Sequence, residues 1–389
     1  TDSMTKSANW SYPTAYHFGA GRVRELGQIC KDANMANPLI VTDPGLAGLP
    51  PLDESRTAIE SAGLATNVFS DLSPNPIARD IDAGVAVYKA GGHDGVVAIG
   101  GGSALDVGKA VALMVGQSRP MFDFEDVGDN WTRADAAAIA PVIAVPTTAG
   151  TGSEVGRAGL IIDEGTARKV IVFHPKLMPV AVLADPELTV GLPRVLTVGT
   201  GIDALSHSLE AICSPAFHPM SHGIGMEGCR LVLEHLPRVL DDPTNLESRG
   251  QMLVAASMGA TAFQKGLGAM HALAHPIGAL FRTHHGMTNA VLMPYVLLAN
   301  RTKIVAEVER LAAYCQISGG FDGFVEHILE LRSTSGVPHT LVELGVDPDR
   351  IDQIALAAVE DPSAATNPIT IDRDFAASIF DAACRGDLD

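Results

Sequence analysis

Cysteine is scarce in this sequence, basic clusters are missing, and no apolar run is long. Five cysteines, at 30, 213, 229, 315 and 384, form no C-x-x-C pair. An odd number scattered over this length is no disulfide framework, so reduced thiols in a cytoplasm are expected. Every apolar stretch is interrupted well before about 18 residues, which excludes a transmembrane helix. The segment Thr1–Asn9 is polar and has no apolar core, so no signal peptide is expected. Lys and Arg never cluster, and the formal net charge is −18. A duplex or a membrane surface rewards clustered cations, so neither nucleic acid nor membrane is an expected partner. The acidic excess reads as a solubility feature. There is no low-complexity segment and no internal repeat.

What is present is a folded, globular composition: 389 residues, 47% hydrophobic and 19% charged. That length exceeds one ordinary core and fits two domains. In the first half, short β-branched runs alternate with amphipathic stretches. Pro38–Asp43, Val96–Ile99, Pro141–Pro146 and Ala181–Ala184 read as strands, continuous rather than alternating, as in strands buried on both faces. Leu52–Gly63, Asp80–Ala90 and Ala104–Val115 carry helical periodicity. This alternation predicts a mainly parallel sheet with helices on both faces, a Rossmann-like domain over 1–190. Beyond the Leu188–Pro193 turn the pattern becomes helical, through Val198–Ala211, Met220–Leu236, Ser248–Phe263, Ala269–Leu280 and Thr302–Tyr314. An all-helical domain over 191–389 is therefore expected.

The strand Val96–Ile99 runs into Gly100-Gly101-Gly102-Ser103, and a helix opens at once. Glycines let backbone approach a phosphate, and a helix N-terminus presents free N–H groups to it. The turn lacks the G-x-G-x-x-G fingerprint, so a diphosphate site and a bare strand-to-helix turn both remain open. The segment Pro146-Thr147-Thr148-Ala149-Gly150-Thr151-Gly152-Ser153-Glu154 follows another strand and is rich in hydroxyls that suit phosphate and ribose. Asp43 ends the first strand, where a carboxylate can accept from an adenosine ribose and repel a 2′-phosphate, favouring NAD over NADP.

The second half concentrates metal-ligating side chains. Asp203 and His207 stand four apart in a helical segment, and so do His271 and His275, so each pair shares a helix face. Thr283-His284-His285-Gly286 follows at a turn. Of 13 histidines, four fall within these fifteen positions. One carboxylate with three imidazoles suits Fe²⁺ or Zn²⁺ and leaves a net positive charge able to polarise an alcohol or aldehyde oxygen.

Four motifs, G-G-G-S-A-L-D-V-G-K-A, P-T-T-A-G-T-G-S-E, D-A-L-S-H and H-A-L-A-H-P-x-G-A-L-x-x-x-H-H-G, resemble those of the iron-dependent (group III) alcohol dehydrogenases in order and spacing. The likeness runs from Tyr16-His17-Phe18-Gly19 to Asn367-Pro368. It implies a dehydroquinate synthase-like architecture, an α/β dinucleotide-binding domain followed by an all-helical metal-binding one. It implies an NAD-dependent dehydrogenase interconverting a primary alcohol and its aldehyde, in homodimers. The family's metal ligands fall on Asp203, His207, His271 and His285, and its proton-relaying or substrate-binding histidine on His275. Its cofactor positions fall on Asp43, Asn75, Gly101, Gly102, Ser103, Thr147, Thr148, Thr151, Ser153, Val155 and Lys169. Two departures stand out. Many relatives have Pro where His284 stands, and a spacing of fourteen from His271 favours His285 as the ligand. The family's N-P-R is here Asn367-Pro368-Ile369, a change expected to alter a pocket wall.

The motifs do not name the substrate. Arg157 and Lys265, flanking two of them, are candidate cations for a substrate with an anionic tail, such as a semialdehyde or hydroxy acid. Two rival readings are a metal- and NAD-using lyase of the dehydroquinate synthase type and a non-catalytic NAD or metal sensor. The lyase would need many basic residues for a phosphorylated sugar acid, and the motif segments are poor in them. Pure sensing has no use for a titratable His275.

Overall fold

A computed structural model describes residues 7–10, 12–166 and 168–388. Most of the polar leader, residues 1–6, therefore lies outside the described residues. The chain divides into two compact units, Thr1–Leu192 and Pro193–Asp389.

The first unit is built on a seven-stranded sheet. Its strands are β1 (Ala8–Trp10), β2 (Ala15–Phe18), β3 (Leu39–Thr42), β4 (Asn67–Phe69), β5 (Val96–Gly100), β6 (Val142–Pro146) and, after a separate hairpin, β9 (Ala181–Ala184). The hairpin pairs β7 (Ala158–Asp163) with β8 (Arg168–Phe173) in antiparallel register. Strand order is β1-β2-β9-β6-β5-β3-β4, and only β1 runs antiparallel to its neighbour. The central strands β3, β5, β6 and β9 are buried at every residue. Alternate residues feed opposite faces, as the pleat requires. Leu39, Val41, Val96, Ala98, Val142 and Ala144 pack with α3 (Ala78–Ala90) and α4 (Gly102–Met114). Ile40, Val97, Ile99, Ile143 and Val145 pack on the other face with α1 (Leu26–Asp32) and α2 (Pro50–Ser61).

The order also locates a site. From β3 the chain goes to β4 on one side, then returns to β5 on the other, so the sheet's direction of winding reverses between β3 and β5. Ligands of open α/β sheets bind outside the carboxyl ends of strands at such a reversal. Thr42 pairs with Ile99, and Gly100 with Pro146. The register therefore delivers Asp43, the glycine turn and the Pro146–Glu154 loop side by side.

The second unit is helical: α5 (Arg194–Cys213), α6 (Pro219–Asp241), α7 (Leu246–Ala262), α8 (Ala269–Phe281), α9 (His285–Tyr314), α10 (Gly320–Ser335), α11 (Ile351–Glu360) and α12 (Arg373–Arg385). Helix α5 packs against α6, α7 and α9 and is buried almost all round, as a central helix must be. The expected helix Thr302–Tyr314 is only the second half of α9, which continues through Pro294. The hairpin β7–β8, strands β2 and β4, and helices α10 to α12 were not anticipated. All five cysteines are free, and no helix among the described residues is long and apolar enough to cross a membrane.

Candidate metal centre and dinucleotide site

Helix α5 carries Asp203, Ser206, His207, Ser208 and Glu210 in its buried surface. Polar groups removed from water need partners, and α8 and α9 provide them. Asp203 Oδ1 lies 3.8 Å from His207 Nε2, 3.9 Å from His271 Nε2 and 3.5 Å from His285 Nε2. One ligand-type atom from each of these four residues falls within 4.8 Å of the other three. His285 enters because Gly286 lets the start of α9 cross α5 closely. A Cβ at Gly286 would run into the Gly199 carbonyl oxygen. His284 does not join the cluster; it is the N-cap of α9, its Nδ1 accepting from the Met287 N–H at 3.3 Å.

The donor set fits a divalent first-row ion. A tetrahedral site with bonds of about 2.0–2.1 Å has edges of about 3.4 Å, close to the 3.5–3.9 Å from carboxylate to imidazole found here. His207 is 5% exposed, its Nδ1 makes no hydrogen bond, and its Nε2 faces the carboxylate. Burial pushes its pKa down to about 4, despite the opposing pull of Asp203, so it is a neutral donor near pH 7. Burial would raise Asp203, but His207, His285, His271 and the Asn289 amide outweigh it and hold the carboxyl well below its usual range. Asn289 Nδ2 donates to Asp203 Oδ1 at 2.9 Å.

Two further carboxylates hold the histidines from behind. Glu210 Oε2 is 2.6 Å from His271 Nδ1, and Asp361 Oδ2 is 2.8 Å from His275 Nδ1. His275 stacks on His285 with ring centroids 5.4 Å apart, beside the cluster rather than in it. Burial would raise Asp361, but the bonds from His275 and Ser363 outweigh it and lower its pKa. Neither Glu210 nor Asp361 was singled out from the sequence. Glu210 continues the Asp203–His207 stripe at i+7, a signal that was available; Asp361 has no local signal.

Asn367 of the altered N-P-I motif takes a structural part. Its Oδ1 accepts from the Ala269 N–H at the start of α8, and its amide exchanges hydrogen bonds with that of Asn300. With Pro368 and Glu210 it lines a small cavity. Lys265 is not free to meet a substrate. Its Nζ donates to the carbonyls of Ala211, Ile212 and Ser214, capping the end of α5.

In the first unit, Asp43 Oδ2 accepts from the Gly101 N–H at 2.9 Å, and burial raises its pKa. A Cβ at Gly102 would lie 2.7 Å from Thr151 Cγ2, so a side chain there would have to displace Thr151. A Cβ at Gly101 would meet Thr148 Cγ2 at 3.4 Å, and Thr147 N donates to Gly100 O. Ser103 Oγ donates to Pro74 O, tying the turn to the loop that carries Asn75. Ile162 N donates to Pro76 O, and Ile162 pairs with Lys169 on β8. Ser153 and Val155 sit on a short 3-10 turn. The Ser153 hydroxyl is engaged there, donating to Asp106 Oδ1 at 2.6 Å and accepting from Lys109 Nζ at 2.6 Å. Arg157 is exposed, its guanidinium 5.6 Å from the centre of the Phe173 ring.

A doubly wound sheet with a glycine turn at its winding reversal, joined in one chain to a helical unit with a carboxylate–imidazole cluster, defines a dinucleotide- and metal-using oxidoreductase. Comparison with known proteins narrows the class. Residues 13–186 match the iron-containing alcohol dehydrogenase family and residues 197–384 that family's C-terminal domain. The chain is 36% identical to a 4-hydroxybutyrate dehydrogenase of Cupriavidus necator over 92% of its own length and 94% of the other's. It superposes on a 1,3-propanediol oxidoreductase with a TM-score of 0.89 at 29% identity, covering 97% and 100% of the two chains. A sulfoacetaldehyde reductase of Bifidobacterium kashiwanohense, solved with NAD⁺, gives 0.86 at 26% identity and 99% of each chain. The chain belongs to the iron-containing alcohol dehydrogenase family. It is an oxidoreductase of the alcohol dehydrogenase type, with NAD and iron as its cofactors.

Proposed function

We propose that Asp203, His207, His271 and His285 hold the ion, that His275 handles the substrate proton, and that the first unit binds NAD. One observation carries this reading: four ligand atoms of the right chemistry, three on buried residues and one on the partly buried His285, converge within 4.8 Å where α5, α8 and α9 meet. Iron is the family's metal, and the same ligand set also suits zinc. When bound, the ion supplies Lewis acidity toward an alcohol or carbonyl oxygen, and NAD accepts or returns hydride. The chain's own residues do the rest. Asp361 accepts from Nδ1 of His275, which leaves the Nε2 lone pair to take the hydroxyl proton of an alcohol or, once protonated, to return it to an aldehyde. Asp43, Asn75, Gly101, Gly102, Ser103, Thr147, Thr148 and Thr151 contribute the surface for diphosphate and ribose. Ser153, Val155 and Lys169 complete the proposed set, Ser153 by bracing the loop through Asp106 and Lys109. This makes residues 1–190 the dinucleotide domain and 191–389 the metal and substrate domain.

The substrate proposed is a small primary alcohol or its aldehyde, with an anionic tail favoured. Relatives named for 4-hydroxybutyrate and sulfoacetaldehyde support the charge. Of the two cations considered, Lys265 is spent on α5, so Arg157 remains. Family habit supports a homodimer, and five free cysteines suit a reducing cytoplasm. The test is a screen of primary alcohols, diols and hydroxy acids with NAD, repeated after chelation and after adding Fe²⁺ or Zn²⁺. NADH formation that disappears on chelation and returns with the ion is expected. Turnover indifferent to chelation would overturn the metal reading, and an Arg157→Ala variant with unchanged preference for acids would remove Arg157.

A further inference from the structure

Glu210 is 6% exposed and uses both oxygens on α8. Oε1 accepts from the Met270 N–H at 2.7 Å, and Oε2 is 2.6 Å from His271 Nδ1. An ionised carboxylate only accepts, so the proton in the second contact sits on Nδ1 and leaves Nε2 with its lone pair. On the other side of the ring, Asn289 Nδ2 lies 3.2 Å from His271 Nε2, 3.3 Å from His285 Nε2 and 2.9 Å from Asp203 Oδ1. The amide NH₂ has two protons, so beside Asp203 Oδ1 it can serve one imidazole at a time, and it donates to His271 only while that Nε2 keeps its lone pair. Glu210 sets the proton on Nδ1 from behind, and Asn289 in front is compatible with the same tautomer.

We propose that Glu210 is a positioning residue that fixes the neutral ring of His271 as its Nδ1–H tautomer, so that the Nε2 lone pair faces the ion. The inference rests on the reading of His271 as a ligand. Its sharpest consequence concerns an isosteric change. In Glu210→Gln only the amide oxygen can accept from the Met270 N–H, so the amide NH₂ must face His271 Nδ1. That nitrogen must then accept, and the ring proton moves to Nε2, aimed where the ion should bind. In Glu210→Ala the ring is free to choose either tautomer.

Affinity for Fe²⁺ and Zn²⁺, measured by chelator competition on the full chain, is expected to fall in the order wild type, Ala, Gln. The Gln variant should lose roughly 10–100-fold. A merely structural role predicts the opposite order for the variants, since Gln keeps the volume and the Met270 bond. Wild-type affinity in Glu210→Gln, or a worse result for Ala than for Gln, overturns the proposal. Should the variants not fold, ¹⁵N-histidine spectra of the metal-free wild type at alkaline pH decide it. Nδ1–H at His271 is expected, and Nε2–H overturns the proposal. Failure of the wild type to bind either ion would instead sink the metal reading, while the tautomer measurement would still judge Glu210.

Discussion

At the scale of single residues, the convergence of Asp203, His207, His271 and His285 was legible because its spacing is geometric. Asp203 and His207, four apart, must share a helix face, and His285 could be preferred to His284 by its distance along the chain from His271. The carboxylates behind these histidines were less legible. Glu210 lies on the Asp203–His207 stripe, but its role shows only once α5 proves to be buried over most of its length. Asp361 meets His275 across 86 residues of sequence, and no local pattern encodes such a contact. Its prediction follows from the hydrogen bond. In Asp361→Asn, the oxygen is retained by the Ser363 N–H, so the amide nitrogen faces His275 Nδ1 and drives the ring proton to Nε2. The variant should keep its metal, measured by elemental analysis, and lose about 10²-fold or more in kcat, the span expected of a misdirected general acid or base. Full activity would remove His275 from the proton path. A second prediction concerns Gly102, where a Cβ would lie 2.7 Å from Thr151 Cγ2. Gly102→Val should raise the Kd for NAD at least about tenfold, equivalent to about 1.4 kcal/mol, with metal content unchanged by titration of the same sample.

At the scale of elements, the buried parallel strands were readable because continuous β-branched runs have few other uses. Strands β2 and β4, of four and three residues, are too short to show a period. The pattern over Thr302–Tyr314 covers only the second half of α9, and Pro294 lies inside the first half. That half survives because it is buried at nearly every position, so tertiary packing offsets the lost backbone hydrogen bond. Lys265 is a different case. A lysine beside a glycine-rich motif resembles an anion grip, yet it closes the carboxyl end of α5, where unpaired carbonyls and the helix dipole both favour a cation. Lys265→Met should therefore destabilise the protein by about 1–3 kcal/mol, the cost of buried carbonyls left without a donor, read as a lower unfolding midpoint in urea. The ratio of kcat/KM for an acidic and a neutral alcohol should stay as it is in the wild type. A changed ratio with unchanged stability would restore the anion-binding role.

At the scale of the whole molecule, the ion would join three helices, α5, α8 and α9, that the chain supplies from separate stretches, so loading should be measurable as stability. An ion present at a thousand times its Kd adds about 4 kcal/mol to a fold that alone can bind it. The pH dependence has a definite sign. Ligating imidazoles must stay unprotonated, whereas the same histidines in the unfolded chain take up protons below about pH 6.5. Unfolding of the loaded protein therefore absorbs protons on the acid side, and its stability falls as pH drops below that value. His207 contributes in the same direction even without the ion, since burial lowers its pKa to about 4 and the unfolded chain outbids it for a proton between those two values. His271 works against this in the metal-free protein. Burial alone would lower its pKa, but Glu210 and Asp203 raise it, so the folded state holds that proton more readily. Loaded and chelated protein unfold to the same chain, so their difference in Tm follows the protons taken up by the folded, metal-free ligands; with His271 raised, it should already be shrinking as pH falls through about 6.5 and go on shrinking toward pH 5. Amide hydrogen exchange at pH 7 should slow on loading in α5, α8 and α9. A Tm difference that is flat from pH 8 to 5, or protection that appears outside these helices alone, would show that the ion binds somewhere other than at Asp203 and its three histidines.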